Sequence, residues 1–261
     1  MAMAEYLNVE DARKLSGLRV VLSPGVPGPW SEAAKGILYV KKIPYVRVRQ
    51  DIGGENRALV EWSAQATAPV FAWNDEPPRS TWIEQLFLAE RLQPTPSLIP
   101  ANTGDRALMF GYCNELCGEH GFGWSKRLML VHPTLLNPKV DEKTRAFSQY
   151  IGDKYGYNAA EAEGAAARCA DIIGFLVARL EQQQAKRSKF YIGNQLSALD
   201  IYSATFTALI QPLPHEQCPM PPPFRKMYTN TDPTIQAAAK PILFAHRDFI
   251  YREYLELPID L

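Results

Sequence analysis

Between about residue 18 and residue 91, short strand signals alternate with helical ones, and after a Pro-rich stretch the strand signals stop. LRVVLS (18–23) reads as a strand, SEAAKGILYVKK (31–42) as a helix opened by Ser31, and IPYVRVRQ (43–50) as a second strand. NRALVEWSAQ is weakly helical, APVFAW a short apolar strand, and STWIEQLFLAERL a strong helix after the turn NDEPPR. That order predicts a small α/β domain over 18–92. QPTPSLIPANTG has no period and reads as a linker over 93–104, followed by an all-helical domain over 105–261. Residues 1–17 form an N-terminal extension, in which EYLNVEDARKL has helical character.

In the second half the apolar residues recur at helical spacing. Leu108, Tyr112 and Leu116 define one face, with Met109, Cys113 and Cys117 beside it. Ala165, Cys169, Ile172, Ile173, Leu176 and Leu180 form a longer stripe. A final helix is expected to carry Ile235, Ala239, Ile242, His246, Phe249 and Ile250, with His246 at the edge of the core. In QLSALDIY, Ser197 and Asp200 have the spacing of a capping box, which fixes a helix start and assigns no chemistry.

With 28 basic and 28 acidic side chains in 261 residues, the chain offers no field for nucleic acid or an anionic membrane. No window reaches the roughly 18 apolar residues of a membrane span. The first residues lack the basic start and apolar run of a signal peptide, so the cytoplasm is the expected compartment. Four cysteines are too few and too scattered for a disulfide framework. Cys113, Cys117 and His120 fall at i, i+4, i+7, yet no fourth ligand accompanies them, and no metal is expected.

Three segments carry a family resemblance. They are the stretch VVLSPGVPGPWSEAAKGILYVKKIPY (20–45), TAPV (67–70) with Ser80 at a helix start ten residues on, and FYIGNQLSALDIYSATF (190–206). LIPANTGDRAL (98–108) adds a similar linker. Together they resemble the cytosolic glutathione S-transferases. The resemblance implies a thioredoxin-like N-terminal domain that binds glutathione and a helical-bundle C-terminal domain that shapes a pocket for a hydrophobic electrophile. It implies a cis Pro69, with Val70 pairing its backbone to the tripeptide, and Ser80 at a helix N-terminus receiving the γ-glutamyl carboxylate. Trp30 would cover the ligand. A homodimer and a role in detoxification are further implications.

The sequence departs from the family at two places. Where members usually carry Glu or Gln before the serine, this chain has Arg79, whose cation is placed next to an ammonium or recruited to the carboxylate. Where the serine- and cysteine-type enzymes place their reactive residue, it has Gly28, and where the tyrosine-type enzymes place theirs, Ser23. Holding the glutathione thiol as thiolate needs a hydrogen-bond donor and a positive field. The donor is Ser31, a backbone N–H opened by Gly28, or Ser23. Both serines also have structural readings, Ser31 as a helix N-cap and Ser23 as a strand end before Pro24. The expected activity is glutathione conjugation or a related glutathione-dependent reaction; the alternative is a transferase-fold protein that binds ligands or partners without catalysis.

Overall fold

The computed structural model describes residues 5–261, and the first four residues of the N-terminal extension lie outside the described residues. The chain divides into two compact units. The first comprises Met1–Leu98, Leu213–Pro221 and Tyr251–Leu261; the second comprises Ile99–Pro212 and Pro222–Ile250. The grouping is therefore less linear than a split at the 93–104 linker, because two later segments belong with the first unit.

In the first unit the order is α1 (Val9–Ala12), β1 (Leu18–Leu22), α2 (Pro29–Val40), β2 (Val46–Arg49), α3 (Arg57–Ser63), β3 (Val70–Trp73) and α4 (Trp82–Leu92). The sheet runs β2-β1-β3, with β1 parallel to β2 and antiparallel to β3. β1 is LRVVL because a central strand covered on both faces has no position for an exposed polar group, and all five residues are buried. β2 alternates Val with Arg, as suits an edge strand. The described part of the N-terminal extension packs on its own unit. Leu7 pairs with β2 through bonds of 3.0 Å to the Arg47 carbonyl and 2.9 Å from the Arg49 N–H. Asn8 caps α1 by accepting from the Asp11 N–H at 2.8 Å. Val9 and Ala12 then join Val21, Val48, Leu59 and Val70 in one core.

Charged side chains lie deep inside this unit, Arg19 of β1 and Lys41 among them. Lys41 is 1 % exposed, and its ammonium is 2.7 Å from Glu90 and donates to the carbonyls of Gln93 (2.8 Å) and Pro96 (2.7 Å). Three acceptors around one ammonium offset the cost of burying it and tie the end of α2 to α4 and the segment beyond.

The second unit is helical throughout: α5 (Thr103–Cys117), α6 (Phe122–Leu136), α7 (Glu142–Lys154), α8 (Ala159–Ala185), α9 (Ala198–Thr207), α10 (Pro222–Tyr228), α11 (Pro233–Ala238) and α12 (Pro241–Tyr254), whose last residues group with the first unit. The α8 stripe is buried at every expected position. In α5 the buried face is Met109, Tyr112, Cys113, Leu116 and Cys117, while Leu108 is exposed. The expected final helix is two helices, because Pro241 has no N–H to continue α11 and instead opens α12.

α9 is buried along its whole length, and its start has the predicted capping box. The Asp200 carboxylate accepts from the Ser197 N–H (2.8 Å), the Ser197 hydroxyl (2.8 Å), the Tyr191 N–H (2.9 Å) and His246 Nε2 (3.0 Å). His246 is thus a buried structural residue. No helix among the described residues is long and apolar enough to cross a membrane.

Candidate functional site

Strand register brings the candidate residues of the first unit to one end of the sheet. Val21 pairs with Val70 in the antiparallel β1–β3 ladder, so the turn leaving β1 lies beside the segment entering β3. That segment contains the cis Ala68–Pro69 bond, as the resemblance implied. On the far side of β3, Phe71 and Arg79 exchange two backbone hydrogen bonds of 2.9 and 2.7 Å. Ser80 follows directly, one step along toward Val70.

Helix α2 begins two residues earlier than expected. Its N-cap is Gly28 at φ −63°, ψ 127°, with Pro29 as the first helical residue, so Ser31 is not the cap but the third helical residue. The conformation follows from the sequence: a residue before proline is pushed to extended backbone, and proline is preorganised for a first helical turn. Ser31 is buried, and its hydroxyl makes no hydrogen bond with any described residue. It lies 3.9 Å from where a Cβ on Gly28 would be. The missing side chain at position 28 and the hydroxyl at position 31 therefore face the same small space at the positive end of a helix with no side-chain cap. Trp30 lies between them in the same turn, half-buried.

Glu32, the next residue, is buried, and burial pushes its carboxyl up against the pull of Lys35 at 2.9 Å. Burial works against the Lys35 charge, but Glu32, with Tyr45 and Tyr6, holds that ammonium above its ordinary value. Lys35 in turn donates to the Asp260 carbonyl at 2.5 Å.

Ser23 is occupied. Its hydroxyl donates to Gln50 Oε1, and the same buried amide donates to the carbonyls of Asp51 (2.9 Å) and Ala66 (3.2 Å). Ser23 is thus a strand-end residue fixing the turn, and Ser31 is the candidate donor with a hydroxyl to spare.

At the start of α4 the helix cap is Thr81 rather than Ser80. Thr81 and Glu84 form a complete capping box, with Thr81 Oγ1 donating to Glu84 at 2.6 Å and accepting from its N–H at 3.4 Å. Threonine takes the cap because glutamate stands three residues after it and not after Ser80. Ser80, half-buried, keeps a hydroxyl without a hydrogen bond to any described residue. The Arg79 guanidinium is drawn to Glu76 at 2.6 Å, and Arg91 holds the same carboxylate at 2.6 and 2.7 Å. Hydrogen bonds from Arg91 and Arg79 keep the Glu76 carboxyl below its ordinary value.

Gln85 was not singled out by sequence. Its buried Nε2 donates to the Pro69 carbonyl (3.0 Å) and the Arg79 carbonyl (3.2 Å), joining the two arms of the cradle. A polar residue one turn after the cap, on the buried face of an amphipathic helix, was the available signal.

Cys113, Cys117, Cys169 and Cys218 are all buried, and none is in a disulfide. Burial pushes the thiols of Cys113 and Cys117 well up, and that of Cys169 to about 12. His120 lies beyond the end of α5 at φ 55°, two-thirds exposed, so it does not share the face of Cys113 and Cys117. The thiolate is the reactive form, so native protein at pH 8 is expected to show no fast reaction with a disulfide reagent. Denaturant should release four equivalents; a fast equivalent in the folded state would contradict this burial.

No protein-family model and no curated protein matches the sequence. Solved structures do match. A glutathione S-transferase domain-containing protein from Marinobacter aquaeolei VT8 superposes with a TM-score of 0.62 at 17% identity, covering 91% of this chain and 100% of that one. The chain has the glutathione S-transferase fold. A rice transferase solved in complex with glutathione matches with a TM-score of 0.59 at 16% identity, over 93% of each chain. The beta-etherase LigF from Sphingobium sp. strain SYK-6 matches with a TM-score of 0.56 at 15% identity, over 85% of this chain and 98% of its own. Within the transferase fold, the three-stranded sheet and the cis-proline segment belong to the thioredoxin-like part, and α5 to α11 to the helical part.

Proposed function

We propose that the protein is a glutathione-dependent enzyme that joins glutathione to a hydrophobic electrophile or catalyses a related reaction. The observation that carries this reading is the register at one end of the sheet, which gathers the Gly28–Ser31 helix start, cis Pro69 with Val70, and Ser80. Neighbours of the same fold include one solved with glutathione and one described as a beta-etherase.

The residues present suit the tripeptide. Val70 would offer its backbone to the cysteinyl part of the ligand. Ser80, with the N-terminus of α4 behind it, would receive the γ-glutamyl carboxylate. Arg79, held on Glu76, leaves the ammonium of that group without its usual acidic partner. When bound, glutathione supplies a thiol nucleophile that titrates near 8.5 in a free state. The Ser31 hydroxyl would donate a hydrogen bond to the sulfur, and the end of α2 would favour its negative charge. Trp30 would shield that sulfur from water. The chain's own buried thiols take no part.

Thermal unfolding with glutathione and with S-hexyl glutathione tests the reading. Ligand at about a hundred times its dissociation constant stabilises a fold by about 2.7 kcal/mol, a rise of several degrees in a chain this size. A saturable rise supports the site. A flat response at millimolar ligand would favour the second reading, a fold that carries other ligands without conjugation, for which Gly28 and Arg79 are the motivating departures. Within the first reading, Ser80→Ala is expected to weaken glutathione binding by about 1–3 kcal/mol, the cost of leaving a carboxylate underserved. Unchanged affinity by calorimetry would remove Ser80 from the site.

A further inference from the structure

A cleft lies wholly within the second unit, between the middle of α6 and the segment that joins α10 to α11. It encloses about 350 Å³, the lower part of the range that small-molecule sites occupy. Neither the β1 turn nor the cis-proline segment contributes to it, so it is separate from the glutathione cradle.

Its walls have a pronounced charge bias. Lys126, Arg127 and Lys226 line it, against one carboxylate, Asp232. The Asp232 carboxylate is committed to the start of α11, accepting from the N–H groups of Thr234 (2.9 Å) and Ile235 (3.2 Å). Lys126 is held in place by Asn230, whose Oδ1 accepts from its ammonium at 3.0 Å. Asn230 is itself buried and fixed, donating through Nδ2 to the Asp232 carbonyl at 3.1 Å and through its backbone to Ile210 at 2.8 Å. Burial pushes the Lys126 ammonium down, so a negative charge brought into the cleft would offset a cost the fold already bears. Arg127 cannot relieve the same burden by losing its proton, and it hydrogen-bonds Tyr155 and Tyr228. Beside these cations, Met129 and Leu130 give an apolar wall. A cleft for an inorganic ion alone would not need that wall, and a cleft for an apolar molecule would not gather three cations.

We propose that this cleft binds a small organic anion, with an oxyanion head held between Lys126 and Lys226 and an apolar body against Met129 and Leu130. Arg127, hydrogen-bonded to Tyr155 and Tyr228, adds to the local positive potential. The site is independent of glutathione binding and of any conjugation the protein performs.

Calorimetric titration of the intact protein with phenyl phosphate tests the proposal, with phenol and inorganic phosphate as the two halves of the probe. Phenyl phosphate is expected to bind saturably and more tightly than either half, with affinity falling as salt is raised. Lys226→Glu reverses charge at an exposed rim position, so its melting temperature should match the unsubstituted protein. It should weaken phenyl phosphate about tenfold or more, as expected for losing a charged hydrogen-bond donor. Lys126→Met should do the same from the inside. Saturating S-hexyl glutathione should leave the titration unchanged. The proposal is overturned by no saturable heat at millimolar phenyl phosphate, by phenol or inorganic phosphate binding as well as the whole probe, by an unchanged dissociation constant in Lys226→Glu, or by competition from S-hexyl glutathione.

Discussion

Gly28→Ser is expected to raise kcat/KM for glutathione with a chromogenic aryl halide by about tenfold or more. A single well-placed donor at a developing or stored negative charge is worth about 10²–10³ in rate where its removal has been measured. Position 28 can take the side chain. Its backbone, at φ −63° and ψ 127°, is open to any residue, and the nearest atom to an added Cβ is Ser31 Oγ at 3.9 Å. Serine is also a better helix cap than glycine by only a few tenths of a kcal/mol, so stability should barely change. The new hydroxyl would join the Ser31 hydroxyl in the same space. No gain in rate with glutathione binding intact would mean that the sulfur is already fully served by Ser31, and Ser31→Ala would then abolish most of the activity. A fall in rate for both variants alike would point to a sulfur position away from the start of α2, and the proposed catalytic role of Ser31 would be lost.

The largest loss of stability is expected for Asp200→Ala. The carboxylate is fully buried and satisfies four donors at 2.8–3.0 Å, from Ser197 twice, Tyr191 and His246. Removing it strands all four in the core, beside a cavity. Loss of one partner in a buried charged network costs about 3–5 kcal/mol, which lowers the melting temperature of a chain this size by roughly 8–15 °C. Ser203→Ala provides the scale. It removes one buried hydrogen bond, that of 2.8 Å to the Tyr191 hydroxyl, and should cost about 1 kcal/mol. Equal effects of the two substitutions on the denaturation midpoint would mean that the Asp200 network contributes no more than an ordinary pair.

Asp200 and Gly28 mark opposite limits of what a sequence reveals. Ser197 and Asp200 act across three positions of one helix start, and a device that local is readable from spacing. The same is true of the alternation of strands and helices, the α8 stripe, and the Pro-rich change of texture near residue 93. Helix starts of near-equal quality were not readable. At α4, Ser80 and Thr81 compete, and a glutamate three residues after Thr81 decides between them. At α2, Pro29 moves the start ahead of Ser31 and makes Gly28 the cap.

Long-range pairing lay beyond the sequence. Read along the chain, Ser31 ranks ahead of Ser23 as a donor with both still possible, and only the fold brings Gln50 to Ser23 and leaves Ser31 without a hydrogen bond to any described residue. Arg79 is three residues from Glu76, but that Arg91, fifteen residues from Glu76, meets the same carboxylate is visible only in the fold. Gln85 reads as one more helical residue until strand register sets the Pro69 and Arg79 carbonyls side by side. The three cations of the second cleft are divided between α6 and α10, about a hundred residues apart in sequence. Sequence by itself determined the local elements, the order of the two kinds of structure and the absence of a reactive serine or cysteine at position 28. Tertiary structure alone decided which polar groups are spent on one another and which remain to meet a ligand, because hydrogen bonds between distant segments exist only once the core has brought those segments together.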